Sequence, residues 1–280
     1  MDTQVATFPT TTAAVVEAPL SFLTADSELP YVYVEAPPPG VAARAGTRET
    51  RIVPIIDARP RAGSLSLDRH GFVLRPHATQ VVDFYDDAEV RRVYYPEVEK
   101  LLRAETGASQ IVIFDHTVRN TDPARQHGRT VREAGAHVHN DYTEQSAPKR
   151  VRELLPRAEA EAKLARRYAE INVWRSIAGP VEAWPLALCE AGSLDWRDLV
   201  RSERRYPDRI GETYVVRFSP EQRWFYFPRL RRDEALLLKC FDSATDGRAR
   251  LAVHSAFDDP TTPPDAPPRE SIEVRAFAFF

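Results

Sequence analysis

Glycine is scarce in this chain: eleven residues in 280, none closer than six positions to the next, so no Gly-x-Gly occurs. That removes the dinucleotide-binding fingerprint, and Gly40 and Gly46 lead into Thr47 rather than the Lys-Ser/Thr that would complete a phosphate loop. Gly-x-Ser-x-Gly and His-Glu-x-x-His are missing too, which argues against an elbow-type serine hydrolase and a zincin. Only two cysteines are present, Cys189 and Cys240, in no Cys-x-x-Cys pair. A cysteine-based zinc module is excluded, and a reducing, cytoplasmic setting is expected. Lysine occurs four times among 38 basic residues, and the net charge of −3 offers no global field for nucleic acid or anionic lipid. No stretch approaches the ~18 apolar residues of a membrane span. The first residues lack the basic and apolar regions of a secretory signal, so neither nucleic acid nor membrane is expected as a partner.

What is there begins with residues 1–60, rich in Pro, Thr and Ala, which read as an extended N-terminal arm pinned by two short strands, YVYVEA and RIVPII. Residues 61–280 read as one domain. Val90, Val93, Tyr94, Val98, Leu101 and Leu102 recur at helical spacing and Gly107 closes the run, predicting a helix around 86–106. A second helical region, around 147–168, follows Ser146 as N-cap and is interrupted at Pro156. The remainder holds nine short runs rich in β-branched and aromatic residues, among them SQIVIFDHTV, AEINVWRSI, ALLLKCF and SIEVRAFAFF. Many strands with few helices between them indicate a mainly β fold, a double-stranded β-helix of the jelly-roll, cupin-like kind with flanking α-helices.

The chemistry-bearing segment is AGAHVHNDYT. Its His137, His139 and Asp141 alternate, so on a strand they project from one face, where three titratable groups are costly unless they bind something. His139-Asn140-Asp141 supplies an imidazole and a carboxylate, and His254, in ARLAVHSAF, supplies a second imidazole. Two histidines and one carboxylate form the facial set that leaves positions open on ferrous iron. His137, one pleat away, has no aspartate two residues on and is expected to support the ligands from behind. Arg269 and Ser271 open the last strand on one face. A guanidinium fork with a neighbouring hydroxyl resembles the Arg-x-Ser that grips the distal carboxylate of 2-oxoglutarate, with Arg275 as the alternative anchor.

The strings HNDYT, INVWRSI, GPVEAWPLALCEA, PRLRRDEALLLKCFDS and HSAFDDPTTPPDAPPRESIEVR, with GFVLRPHATQVVDFYD and YYPEVEKLL upstream, resemble the iron(II)/2-oxoglutarate-dependent hydroxylase/desaturase family. That family includes bacterial cephalosporin 7-hydroxylase components and the fungal gibberellin desaturase. The likeness spans about residues 50–280. It implies iron(II), 2-oxoglutarate as cosubstrate and O2, with hydrogen abstraction from an unactivated C–H bond of a small natural-product intermediate. It also leaves room for a homodimer or a partner protein.

Asn172 and Trp174 share one face of INVWRSI and, with Tyr142, are candidates to line the substrate pocket. With 43% hydrophobic residues and Trp224 taken as near the metal segment, that pocket is expected to suit a largely apolar molecule. His70, His77, His116 and His127 read as structural or surface residues. Two other readings remain at this stage: a non-redox metal-binding isomerase or binding protein of the cupin sort, which has no use for Arg269 and Ser271, and a non-catalytic partner subunit.

Overall fold

The computed structural model describes residues 13–125 and 136–280. His127 therefore lies outside the described residues. Four strands precede residue 60: β1 (Val15–Leu23), β2 (Tyr31–Tyr33), β3 (Arg44–Ala45) and β4 (Arg48–Asp57). They are followed by β5 (Phe72–Pro76), β6 (Gln110–Asn120), β7 (His139–Asn140), β8 (Tyr168–Ser176), β9 (Leu186–Cys189), β10 (Leu199–Arg205) and β11 (Ile210–Val216). The last four are β12 (Trp224–Tyr226), β13 (Glu234–Asp242), β14 (His254–Ala256) and β15 (Glu270–Phe279).

They form two sheets, one ordered β5-β13-β8-β15-β6 and the other β1-β4-β12-β9-β14-β7-β11-β10-β2-β3. This is the expected jelly roll. In the five-stranded sheet the register sets Ser271, Glu273 and Arg275 opposite Ser176, Trp174 and Asn172 on β8, and opposite Arg119, Thr117 and Asp115 on β6. Cross-strand partners share a face, so this face is polar. The other face carries Ile171, Val173, Ile272 and Val274, which join one hydrophobic cluster with Val90, Tyr94, Val98 and Leu102. Those four recur every fourth residue through a π turn, Val90–Tyr94, into the helix Tyr95–Thr106, all at 0% exposure. At ~1.5–3 kcal/mol for each large apolar side chain fully buried, that stripe holds the helix on the sheet. Pro96 is tolerated in the first turn, and Gly107 ends the helix at φ +71°.

The second helical region differs from its expectation. Ser146 does not cap. Thr143 Oγ1 accepts from the Ser146 amide (3.0 Å) while Ser146 Oγ accepts from the Thr143 amide (2.8 Å), a reciprocal capping box that opens the helix Ser146–Leu154. Pro156 then starts a separate helix, Arg157–Leu164, which stops short of 168 because Tyr168 enters β8 opposite Phe279.

The 1–60 boundary also needs correction. β1 pairs with β4 over nine residues, burying Val16, Ala18, Leu20 and Phe22, and β4 runs parallel to β12. The segment is the edge of the larger sheet, and alternation of exposed and buried residues along β1 is the period-2 signal of a half-buried strand.

Two short strands position the site. His254 on β14 is the direct antiparallel partner of His139 on β7. The expected single strand through His137, His139 and Asp141 is not formed, because the ladder ends at Asn140. The fully buried Asn140 side chain donates to the carbonyls of Tyr142 (2.7 Å) and Cys240 (2.7 Å) and accepts from the Ala252 amide (3.1 Å). One side chain thus curls the chain at Asp141 and ties it to β13 and to the approach to His254. Asn140→Ala leaves three buried backbone groups without partners and is expected to destabilise the fold by about 2–4 kcal/mol. Chemical denaturation measures this, and a change under about 0.5 kcal/mol would refute the clamp.

Candidate active site

The Nε2 of His139 stands 3.5 Å from Asp141 Oδ1, and ligand atoms of His139, Asp141 and His254 all lie within 4.8 Å of one another. The two imidazoles lie 4.5 Å apart between ring centroids, their planes tilted by 52°. His139 Nδ1 meets the His137 carbonyl (2.7 Å) and His254 Nδ1 meets the Ala252 carbonyl (2.8 Å). A carbonyl only accepts, so each Nδ1 carries the proton and each Nε2 presents a lone pair. Burial, reinforced by His139, lowers the pKa of His254 and keeps it neutral. Burial pushes the Asp141 carboxyl up, but the close approach of His139 and the Arg275 charge outweigh it and hold the group well below its ordinary range. Two imidazoles that present Nε2 and one carboxylate are a donor set suited to ferrous iron.

Behind Asp141 the polar face of the five-stranded sheet is tightly paired. Asn172 donates to Asp141 Oδ2 (2.7 Å) and Glu273 Oε1 (3.1 Å). Arg275 donates to Asp115 (3.0 Å), Thr117 (3.1 Å) and Glu273 (2.5 Å), and its Nε lies 3.6 Å from Asp141 Oδ2. Further along β15, Arg269 is in a different state. It is 3% exposed, donates to the Trp184 carbonyl (2.6 Å) and lies over the Trp174 ring (5.7 Å), while its Nε and the Ser271 Oγ have no hydrogen-bond partner. Burial, with Arg119 second, brings its pKa down to about 9. Trp184 adopts φ +51°, a left-handed conformation rare for a non-glycine residue. A buried guanidinium and a buried hydroxyl with spare donors fit an anionic group, because leaving such atoms unpaired costs ~1–3 kcal/mol or more each. A cavity of about 900 Å³ opens from His139, Asp141 and Arg275 toward β2, β3 and β11.

A family described as an oxidoreductase/YMDC permease-like domain matches residues 20–279. A hydroxylase/desaturase, CTB9, of Cercospora beticola is 34% identical over 256 residues, covering 83% of this chain and 77% of its own. The Fe(II)/2-oxoglutarate-dependent dioxygenase nvfI of Aspergillus novofumigatus is 33% identical over 80% of this chain and 81% of its own. The solved structure of the iron and alpha-ketoglutarate-dependent endoperoxidase NvfI superposes with a TM-score of 0.86 at 29% identity, covering 95% of this chain and 98% of that one.

The chain belongs to the iron(II)- and 2-oxoglutarate-dependent hydroxylase/desaturase family. It is an oxidoreductase, and enzymes of this family act on small-molecule substrates. Among the described residues no helix is long and apolar enough to cross a membrane.

Several expectations for this oxygenase change in the structure. Asn172 is engaged with Asp141 and Glu273, and Trp174, 3% exposed, packs under Arg269; neither is among the cavity-lining residues, whereas Tyr142 is. Trp224 faces the opposite side of the larger sheet from His254, packed against Phe22 in a cluster with Val138 and Val253. The cavity wall is strongly charged rather than largely apolar. His137 supports His139 through its carbonyl and a ring contact of 4.8 Å between centroids. His116 pairs with Tyr95 (2.9 Å), and His70 Nδ1 accepts from the Ser66 amide (3.1 Å).

Glu170 escaped the sequence reading. It lies on β8 opposite Phe277, fully buried, with neither carboxylate oxygen hydrogen-bonded. Burial and then Asp141 raise its pKa well above the ordinary carboxyl value. A carboxyl raised in the folded state favours folding while protonated and loses that advantage as pH climbs above the unfolded value, ~4.3. Glu170→Gln is therefore expected to be more stable than the native protein at pH 8, with the gap closing toward pH 5. Thermal unfolding across that range measures it, and a gap that widens on acidification contradicts the assignment.

Proposed function

We propose that His139, Asp141 and His254 hold one iron(II), that Arg269 and Ser271 anchor the distal carboxylate of 2-oxoglutarate, and that the oxygenase hydroxylates or desaturates a small natural-product intermediate admitted through the cavity. The observation that carries the reading is the convergence of two Nε2 lone pairs and an ionised carboxylate, of which His139 and Asp141 line that cavity. Iron(II) with 2-oxoglutarate and dioxygen supplies the power to remove hydrogen from an unactivated C–H bond, 2-oxoglutarate being converted to succinate and carbon dioxide.

The chain's own residues orient and select. The carbonyls of His137 and Ala252 hold the imidazoles in the ligating tautomer. Asn172 and Arg275 keep Asp141 charged and aimed at His139. Arg269 is favoured over Arg275 as the anchor because Arg275 already has three hydrogen-bond partners, two of them carboxylates. A cupin-like isomerase or binding protein gives Arg269 and Ser271 nothing to do. A silent partner subunit gives no reason for three intact donors. The names of relatives span hydroxylase, desaturase and endoperoxidase, so the product is set by how the cavity presents its substrate rather than by the shared donors.

His139→Ala and His254→Ala are each expected to abolish iron(II) binding in anaerobic calorimetry, whereas His116→Ala retains it; tight binding by both ligand variants would sink the assignment. For the cosubstrate, Arg269→Lys keeps the charge but loses the fork, and the Kd for 2-oxoglutarate is expected to rise about tenfold, at ~1.4 kcal/mol per decade. An unchanged Kd there, with a large rise in Arg275→Lys, transfers the anchor to Arg275.

A further inference from the structure

Eight arginine and lysine side chains but only four carboxylates line the cavity. Every one of those acids is engaged. Asp115 is bound by Arg275, Glu153 by Arg150 (3.0 Å) and Arg209 (3.6 Å), Glu212 by the Thr143 hydroxyl (2.5 Å), and Asp141 by Asn172. Three guanidiniums, Arg44, Arg48 and Arg204, have no ion-pair partner among the described residues. Their placement is set by the sheet. Arg44 on β3 is the register partner of Val32 on β2, Val32 that of Arg204 on β10, and Arg204 that of Gly211 on β11. Partners share a face, so Arg44 and Arg204 stand on the same side, two strands and ~10 Å apart at the backbone. All four residues of the row line the cavity. Arg48 joins them from the start of β4, on the wall of the same cavity.

Like charges brought together on one wall repel, and the arrangement is stabilised by whatever anion completes it. Guanidinium forks match the paired oxygens of a carboxylate or phosphate. We propose that Arg44, Arg48 and Arg204 select a substrate carrying an oxyanionic group, a carboxylate or phosphate, at the end remote from the carbon offered to His139, Asp141 and His254; the inference rests on the oxygenase reading of those three residues. The distal carboxylate of 2-oxoglutarate is separately served by Arg269, which is not among the cavity-lining residues.

The test is an anaerobic calorimetric titration of the protein loaded with iron(II) and saturating 2-oxoglutarate. The probes are 1-naphthoate, 1-naphthyl phosphate and the neutral methyl 1-naphthoate, and the iron–2-oxoglutarate charge-transfer absorption is recorded in the same samples. At least one anion is expected to bind about tenfold or more tightly than the ester, and the stronger of the two identifies the group. In the R48Q/R204Q double variant this preference vanishes while the charge-transfer absorption persists. Equal binding of anions and ester, no binding of any probe, or a preference that survives in the double variant overturns the proposal with the metal centre left intact. A native protein that develops no charge-transfer absorption overturns the oxygenase reading itself.

Discussion

The hydrogen bonds of Asn140 are the constraint on which the rest of the site depends. Two imidazoles and a carboxylate do not converge by strand geometry alone, since β7 has two residues and β14 three. Short ladders hold register weakly. Asn140 compensates by linking the Tyr142 carbonyl, the Cys240 carbonyl of the opposing sheet and the Ala252 amide. Ala252 in turn offers its carbonyl to His254. The residue between two candidate ligands thus positions the third through a path of two hydrogen bonds, in a largely buried setting where each is strengthened.

The same economy governs the polar interior of the five-stranded sheet. Arg275, Glu273, Asn172, Asp141 and Asp115 form one connected set, and buried charges are tolerable only when so paired. Against that background the spare donors of Arg269 and Ser271 and the unpartnered carboxyl of Glu170 stand out. The first two gain from an anion. Glu170, with Asp141, Glu273 and Asp115 nearby, is stabilised instead by taking up a proton. Opposite responses to the same buried interior separate a binding feature from a charge-balancing one.

How far this was legible in the sequence follows from the range of each interaction. Strands in which β-branched and aromatic residues recur at short spacing, such as β8 with Ile171, Val173 and Trp174 and β15 with Ile272, Val274, Phe277 and Phe279, announce themselves locally. So do His139, Asp141 and His254, whose residue types carry their chemistry in any context. β10, LVRSERR, went unread because its polar residues line a cavity and a sheet rim instead of alternating with apolar ones. Trp224 misled for the complementary reason: an aromatic near other strand residues in sequence says nothing of which sheet it packs beneath. Glu170 was hidden because a carboxylate on a buried strand gives no local signal, and Thr143 because a cap competes with the equally plausible Ser146 three residues on. The roles of Asn172 and Arg275 depend on register between strands over a hundred residues apart, which no local pattern encodes.

Residues before 60 illustrate the largest gap between composition and structure. Their prolines and threonines suggested an arm, yet β1 and β4 close one edge of the larger sheet while β2 and β3 extend the other. β1 also reaches the metal-proximal strand, where the Ser21 carbonyl accepts from the Val138 amide. Arg44 and Arg48 come from this same segment. The two-sheet core and its Asn140 clamp hold His139, Asp141 and His254 together, whereas the early strands supply both a brace for that core and two arginines, Arg44 and Arg48, of the cavity wall. Changes in the early strands can therefore alter which molecule enters without moving a metal donor, provided the Ser21–Val138 bond and the β1–β4 ladder are kept. On the proposed reading, a fold organised this way separates the chemistry, fixed by a few buried hydrogen bonds, from the selection of substrate, written in cavity-facing side chains of strands that contribute no candidate donor atom.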